Sequence, residues 1–343
     1  MRHSVPTKNP IMFRLAFVSC RRSRAAAGGT LRLPDVAVGV KVRPACCART
    51  RIGVKKCEGL PEAGEIANSA SVVDLPPLAE LRRRHVTDER PVPKAVLDAL
   101  SADKRKGARA LLDAIERRRA ENRGEGQRLR RMLAFETALW SAGIEHVAGV
   151  DEAGMSPLAG PVSAAAVVLR PGTRIPGVDD SKKLSAAERT RLAAIIREEA
   201  VAFAVCLVHH DEIDSVNIYH AGLLAMTRAV EALPIAPQHL LVDARTLRAV
   251  ALPQQGIIKG DAKSLSIAAA SILAKTTRDA HMEAMDELYP GYGFKQHKGY
   301  PVKAHYAALA KLGPCAIHRR SFPSVQAPRP AQGSLFALEG PTP

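Results

Sequence analysis

His146-Val147-Ala148-Gly149-Val150-Asp151-Glu152 is a short apolar run that ends in two acids. A run this short, apolar without alternation, reads as a strand buried on both faces. Four similar runs follow: Val162 to Leu169, closed by Pro171-Gly172; Ala200 to Val208; Leu240-Leu241-Val242, ending on Asp243; and Gly256-Ile257-Ile258, ending near Asp261. Helix-like stretches at Ala186–Glu199, Ile267–Glu287 and Val302–Leu312 lie among and after them. Strands interleaved with helices in one unit predict an α/β domain with a mixed sheet flanked by helices.

Three of the five runs end in acids: Asp151-Glu152, Asp243 and Asp261. An aspartate placed directly after Leu-Leu-Val loses solvation unless something cationic compensates it. A divalent ion meets that need economically, because Mg²⁺ is held by one or two carboxylates plus phosphate oxygens and water. Each acid alone also has a structural reading. Asp243 can begin a turn with Ala244-Arg245, Asp261 can cap the next helix, and Asp179-Asp180 reads as a turn with a cap at Ser181. Joint placement at strand ends, where ligands converge in α/β sheets, raises the first four above that.

Outward from this core the charge is uneven. The chain has 343 residues and a net charge of +16. Residues 1–74 carry +8, residues 75–145 carry +5, and the remaining 198 residues only +3. Residues 1–74 mix Arg, Ala, Gly, Pro and Val without a period and are expected to form a disordered basic leader. Residues 75–143 are expected to be a helical basic extension, with Ser101-Ala102-Asp103 capping a helix that carries Ala110, Leu111, Leu112 and Ile115. Lys104, Arg105, Lys106, Arg117, Arg118 and Arg119 are candidate phosphate contacts or a solvated helix face. Residues 144–322 form the catalytic domain in this reading. Residues 323–343, with Pro323, Pro328, Pro330, Pro341 and Pro343, form a flexible tail.

Other classes fall away. Arg14 interrupts the best early apolar run, and no run approaches the ~20 residues that span a bilayer, so no membrane partner is expected. The six cysteines include no Cys-x-x-Cys pair, which argues against a disulfide framework or zinc knuckle and for a reducing compartment. A cytoplasmic monomer is the expectation. Gly260-Asp261-Ala262-Lys263-Ser264 lacks the first glycine of a phosphate loop. His209-His210 lack partners at zinc spacing. Cys206 reads as a core residue.

The chain resembles the bacterial ribonuclease HII family. The match begins at Gly149-Val150-Asp151-Glu152-Ala153-Gly154 and Pro157-Leu158-Ala159-Gly160-Pro161. It continues through Asp180-Ser181-Lys182-Lys183-Leu184-Ser185, Asn217-Ile218 and Lys259-Gly260-Asp261-Ala262-Lys263-Ser264 to Ile267–Lys275 and Thr277-Arg278-Asp279. It closes with His297-Lys298-Gly299-Tyr300 and His318-Arg319-Arg320-Ser321-Phe322. The resemblance implies an RNase H-like fold and an endonuclease that cuts RNA in RNA–DNA hybrids and single ribonucleotides embedded in duplex DNA. It implies Mn²⁺ or Mg²⁺ as cofactor, 5′-phosphate and 3′-hydroxyl products, and a place in ribonucleotide excision repair. Carried over, Asp151, Glu152, Asp243 and Asp261 are the catalytic and metal-holding acids. Tyr300 matches the residue that packs on the sugar beside the RNA–DNA junction; its structural reading is a half-buried core tyrosine. Lys182, Lys183 and Arg319 are candidate phosphate contacts, with ordinary surface positions as the alternative.

One departure stands at the heart of the pattern. The family's motif after the two acids is Gly-Arg-Gly, and this chain has Gly154-Met155-Ser156. The resemblance implies that this segment meets the 2′-hydroxyl, the group that tells RNA from DNA. A nuclease of the same fold with altered specificity, and a non-catalytic hybrid-binding protein, are therefore carried as alternatives. Near the end, Gln332-Gly333-Ser334-Leu335-Phe336 resembles the short peptide by which bacterial replication and repair proteins dock on the sliding clamp, which adds the clamp as an expected partner.

Overall fold

The computed structural model describes residues 76–326 and the backbone of one strand, Val36–Val40. The chain divides into two compact units, one of Arg43–Arg128 and one of Met1–Val42 with Leu129–Pro343.

The smaller unit begins with α1 (Leu78–Arg82), which runs into a π-helical turn, and α2 (Lys94–Ala102), which follows Pro93. The long α3 (Lys106–Met132) comes next, and the division between the units falls inside it. Leu81, Leu100, Ala108, Leu111 and Ile115 form this unit's core. Arg118 is not a free cation: it donates to the carbonyl of His85 and faces Glu89 at 3.5 Å. Lys104, Arg105, Lys106, Arg117 and Arg119 are exposed, with Arg105 paired to Asp103 at 2.6 Å.

The larger unit takes in the end of α3 and α4 (Ala134–Ser141), and it is built on six strands: β1 (Val36–Val40), β2 (Val147–Ala153), β3 (Val162–Val168), β4 (Ala202–Val208), β5 (His239–Asp243) and β6 (Gln254–Ile257). Their order across the sheet is β1-β4-β3-β2-β5-β6. The first three pairings are antiparallel, and β2–β5 and β5–β6 are parallel, so the sheet is mixed as expected. The remaining helices are α5 (Ala186–Glu199), α6 (His210–Val216), α7 (Ile218–Glu231), α8 (Leu265–Leu288), α9 (Phe294–His297), α10 (Lys303–Leu312) and α11 (Pro323–Gln326).

Both faces of the sheet are covered, which explains why the strand runs lack polar alternation. Ala165, Val167, Phe203 and Val205 pack with α5 and α8 on one face. Val150, Ala164, Ala166, Cys206 and Val242 pack with α7 on the other. Gly149 decides how closely α8 approaches: a Cβ there would stand 2.1 Å from the carbonyl carbon of Ser266, so no larger residue fits.

Three boundaries differ from the sequence expectation. Residues 36–40 form an edge strand on β4, with Val36 opposite Cys206 and Val40 opposite Ala202, where the whole of 1–74 was expected to be irregular. Pairing satisfies the β4 edge, and a five-residue run among Arg, Ala and Pro signals that weakly. The rest of residues 1–74 lies outside the described residues. The second difference is that Leu129, Met132 and Leu133 bury into the larger unit's core, so the catalytic unit begins before residue 144. The third is that the tail does not start at 323, since α11 seats Val325 against Leu158 and Leu309.

Candidate active site

The end of β2 carries Asp151 and Glu152, and parallel pairing sets Val150 beside Val242, so Asp243 projects from the same end of the sheet. Asp243 is tied to the next segment by Gly260, whose backbone N–H donates to Asp243 Oδ1 at 2.7 Å. That bond brings in Asp261, on a single 3₁₀ turn (Gly260–Ala262). Neither Asp261 nor Ser181 caps the helix expected of it. Ser264 caps α8, and Ser185 caps α5 in a full capping box with Glu188. Ser181 is buried with its hydroxyl 2.9 Å from that of Ser271.

The acids share one electrostatic environment. Burial raises Asp151 well above the usual carboxylate range, with Glu152 and Asp243 adding to it and Ser271 opposing. Burial likewise raises Glu152, and Asp243 adds to that, while Arg245 at 3.4 Å lowers it. Asp261 is raised by burial and by Asp180 and Asp243, and Lys182 lowers it. Asp180, read from sequence as a turn residue, therefore contributes negative charge to the cluster while its carboxylate also accepts from the Lys182 N–H at 2.9 Å. Two observations bear on a cation. Glu152 Oε2 is buried without a hydrogen-bond partner among the described residues, and the cluster holds more carboxylates than cations. Among the described residues no three Asp, Glu, His or Cys side chains close into a ring around one ion. The donor set fits a hard ion that keeps open positions for substrate oxygens better than a closed structural cage.

The other candidate residues separate clearly. Lys182 and Lys183 are exposed, and Lys183 pairs with Asp179 at 3.1 Å. Tyr300 belongs to none of the hydrophobic clusters among the described residues. It is half-buried, and its ring lies under two cations, Lys275 Nζ at 5.2 Å and Arg278 Cζ at 5.6 Å from the centroid. Arg319 corrects the sequence reading. It is 0% exposed and donates to the carbonyls of Gly160, Met155 and Gly154 at 3.0, 3.0 and 2.7 Å, so no phosphate reaches it. Burial lowers its pKa to about 9. Arg278 has the same character, donating to Pro161, Lys298 and Ala159, with burial lowering it to about 10. Sequence reasoning had no role for Arg278. A fully buried arginine bonded only to carbonyls looks like any other arginine in a sequence. His209 occupies the N-cap position of α6 without a side-chain cap bond to it.

Met155 and Ser156 part ways. Ser156 is exposed, whereas the Met155 side chain lies against α7, its Sδ 2.9 Å from where a Cβ on Gly222 would be.

Comparison with known proteins bears on these features together. The ribonuclease HII family model matches residues 148–325, and the ribonuclease HII N-terminal domain model matches 81–140. The chain belongs to the ribonuclease HII family. It is 59% identical over 250 residues to the ribonuclease HII of Myxococcus xanthus, covering 73% of this chain and 85% of the relative. It is 56% identical over 263 residues to that of Anaeromyxobacter sp., covering 76% and 84%. A crystal structure of ribonuclease H2 from Pyrococcus horikoshii superposes with a TM-score of 0.47 at 28% identity, over 53% of this chain and 95% of that one. As a ribonuclease HII this chain is an endoribonuclease of RNA–DNA hybrids, with the mixed sheet and flanking helices of the RNase H-like fold. Among the described residues no helix is long and apolar enough to cross a membrane.

Proposed function

We propose that this protein hydrolyses the phosphodiester on RNA within RNA–DNA hybrids and at single ribonucleotides embedded in duplex DNA, leaving 5′-phosphate and 3′-hydroxyl ends. The observation that carries this is the set of under-compensated carboxylates gathered at the strand ends, with Asp151 and Asp261 buried and Glu152 and Asp243 half-buried. These four would hold Mg²⁺ or Mn²⁺, which supply the charge that activates a water and stabilises the leaving oxygen. Asp151 and Glu152 present oxygens from a rigid strand, and the Gly260 N–H fixes the orientation of Asp243. Arg245 sits on Glu152 and Lys182 beside Asp261, where each can meet a substrate phosphate. Tyr300, held by Lys275 and Arg278, offers a flat apolar face to a sugar.

Cleavage of a labelled duplex carrying one ribonucleotide, with and without Mg²⁺ or Mn²⁺, tests the reading, and the same duplex in all-deoxy form is the control. No metal-dependent cut at the ribonucleotide overturns it. The second reading, a nuclease of altered specificity, is favoured by Met155 and predicts cutting of a continuous hybrid without the single-ribonucleotide cut. The partners in this proposal are the hybrid, ribonucleotide-containing duplex and, through Gln332–Phe336, the sliding clamp. Those five residues lie outside the described ones.

A further inference from the structure

Arg319 reaches the segment that follows Asp151-Glu152 from its buried side. The stretch that carries it is itself anchored: the Arg319 N–H donates to the Leu158 carbonyl and the Gly160 N–H to the Ile317 carbonyl, both at 2.9 Å. Asp214 accepts from the backbone N–H groups of Arg320 and Ser321, and the Phe322 ring lies 5.4 Å from the guanidinium carbon. From this fixed position the planar fork takes two consecutive carbonyls, those of Gly154 and Met155.

A trans peptide sets its C=O and N–H in opposite directions. The Gly154 carbonyl shares a peptide with the Met155 N–H, and the Met155 carbonyl shares one with the Ser156 N–H. Pulling both carbonyls inward turns both N–H groups away from the guanidinium, and among the described residues neither has an acceptor. Ser156 is exposed, and the segment follows directly on Glu152 and Ala153 in the chain. The Met155 side chain itself seats on Gly222 of α7.

We infer that Arg319 is a positioning residue that aims the Met155 and Ser156 N–H groups at the ribose 2′-hydroxyl. The inference rests on the proposed recognition of single ribonucleotides. It assigns discrimination of ribose to a buried arginine that never touches the substrate.

The test uses the full chain with Mg²⁺. KM is measured for a DNA duplex with one ribonucleotide, and Ki for the same duplex in all-deoxy form as a competitive inhibitor. Because both values come from the same folded molecules, partial unfolding leaves Ki/KM unmoved. Arg319→Lys keeps the charge but cannot fork onto two carbonyls. Ki/KM should fall by about fivefold, the worth of one hydrogen bond, with Ki unchanged. An unchanged Ki/KM overturns the inference even if kcat drops. If Arg319→Lys does not fold, Asp214→Ala decides instead. It removes the acceptor of the Arg320 and Ser321 N–H groups and loosens the anchored stretch that carries Arg319, so Ki/KM should fall by about twofold, and an unchanged ratio overturns the inference. A wild-type Ki/KM near one refutes the underlying recognition of ribose itself, and the inference with it.

Discussion

The Nε2 atoms of His305 and His318 lie 3.0 Å apart in a site where both residues are 0% exposed. The Cys315 N–H donates to His318 Nδ1, so His318 carries its proton on Nε2 and donates to His305. His305 then carries its proton on Nδ1 and donates to the carbonyl of Tyr300. The chain from Cys315 to Tyr300 requires both rings neutral, and burial lowers each pKa to about 4, with the histidines' mutual repulsion contributing at His318.

Acid stability follows from this with a definite sign. The folded pKa values lie below the ordinary 6.5, so the unfolded chain binds more protons between those limits. The stabilisation is whole above about pH 6.5 and is lost as pH falls towards 4, with a slope of up to ~1.4 kcal/mol per pH unit for each proton in the balance. Urea unfolding at about pH 7, 5.5 and 4.5 reads that slope. His318→Asn should flatten it, and equal slopes in wild type and variant would show that these rings do not set it.

Asp151→Asn should separate activity from stability. The amide removes a charge that burial, Glu152 and Asp243 all oppose, so the thermal midpoint should hold or rise. Cleavage should fall by about 10²-fold or more, the scale on which preorganised charge acts in hydrolysis. Asp243→Asn should lose as much. Appreciable turnover of either variant at saturating Mg²⁺ would remove these carboxylates from the site.

Much of this site was legible because strand ends are visible in a sequence. Asp151, Glu152, Asp243 and Asp261 each follow an apolar run, and the sheet gathers the ends of such runs. What stayed hidden depends on which way a side chain turns. Arg319 read as a surface cation, yet its fork faces inward to three carbonyls. Asp180 read as a turn residue, and only the fold brings it near Asp261. Strand β1 was missed because its partner β4 lies some 160 residues further along the chain, a distance that no local pattern carries. Met155 stands out in the sequence as a departure from Gly-Arg-Gly, while its seat on Gly222 depends on a helix contact invisible in one dimension.

Gly149→Ala tests the closeness of β2 and α8. The added methyl would meet backbone atoms of Ser266 and Ile267 at 2.1–2.5 Å, and backbone cannot rotate away as a side chain can. A loss of about 3 kcal/mol or more is expected, at the upper end for overpacked cores. Chemical denaturation measures it. A loss under about 1 kcal/mol would mean that α8 shifts freely and that the site is less rigid than described.

Salt dependence tests the smaller unit. Deleting the whole N-terminal region would also strip Leu129, Met132, Leu133 and Glu136 from the catalytic core, so surface substitution is the cleaner probe. Replacing exposed Lys104, Arg105, Lys106, Arg117 and Arg119 with glutamine should weaken duplex binding. Each lost phosphate contact should lower the slope of log K against log salt by about 0.9. Arg118→Gln should instead destabilise the unit, since its guanidinium holds the His85 carbonyl. An unchanged slope in the five-fold variant would mean that this helix face is simply solvated.

Gln332-Gly333-Ser334-Leu335-Phe336 sits between Pro330 and Pro341. Leu335 and Phe336 are adjacent apolar anchors, and a pair of that kind can enter a pocket on a partner while the flanking prolines restrict the free peptide. A peptide that orders as it binds gains only modest affinity. Tethering the enzyme to a ring that encircles DNA nevertheless raises its effective concentration at scattered ribonucleotides by orders of magnitude. A peptide of residues 328–341 should therefore bind the organism's own clamp with Kd of roughly micromolar, ~8 kcal/mol. The same peptide with Leu335→Ala and Phe336→Ala should lose that binding, because removing both side chains leaves polar contacts alone. Equal binding of the two peptides, or none by either, would remove the clamp from the partners of this enzyme.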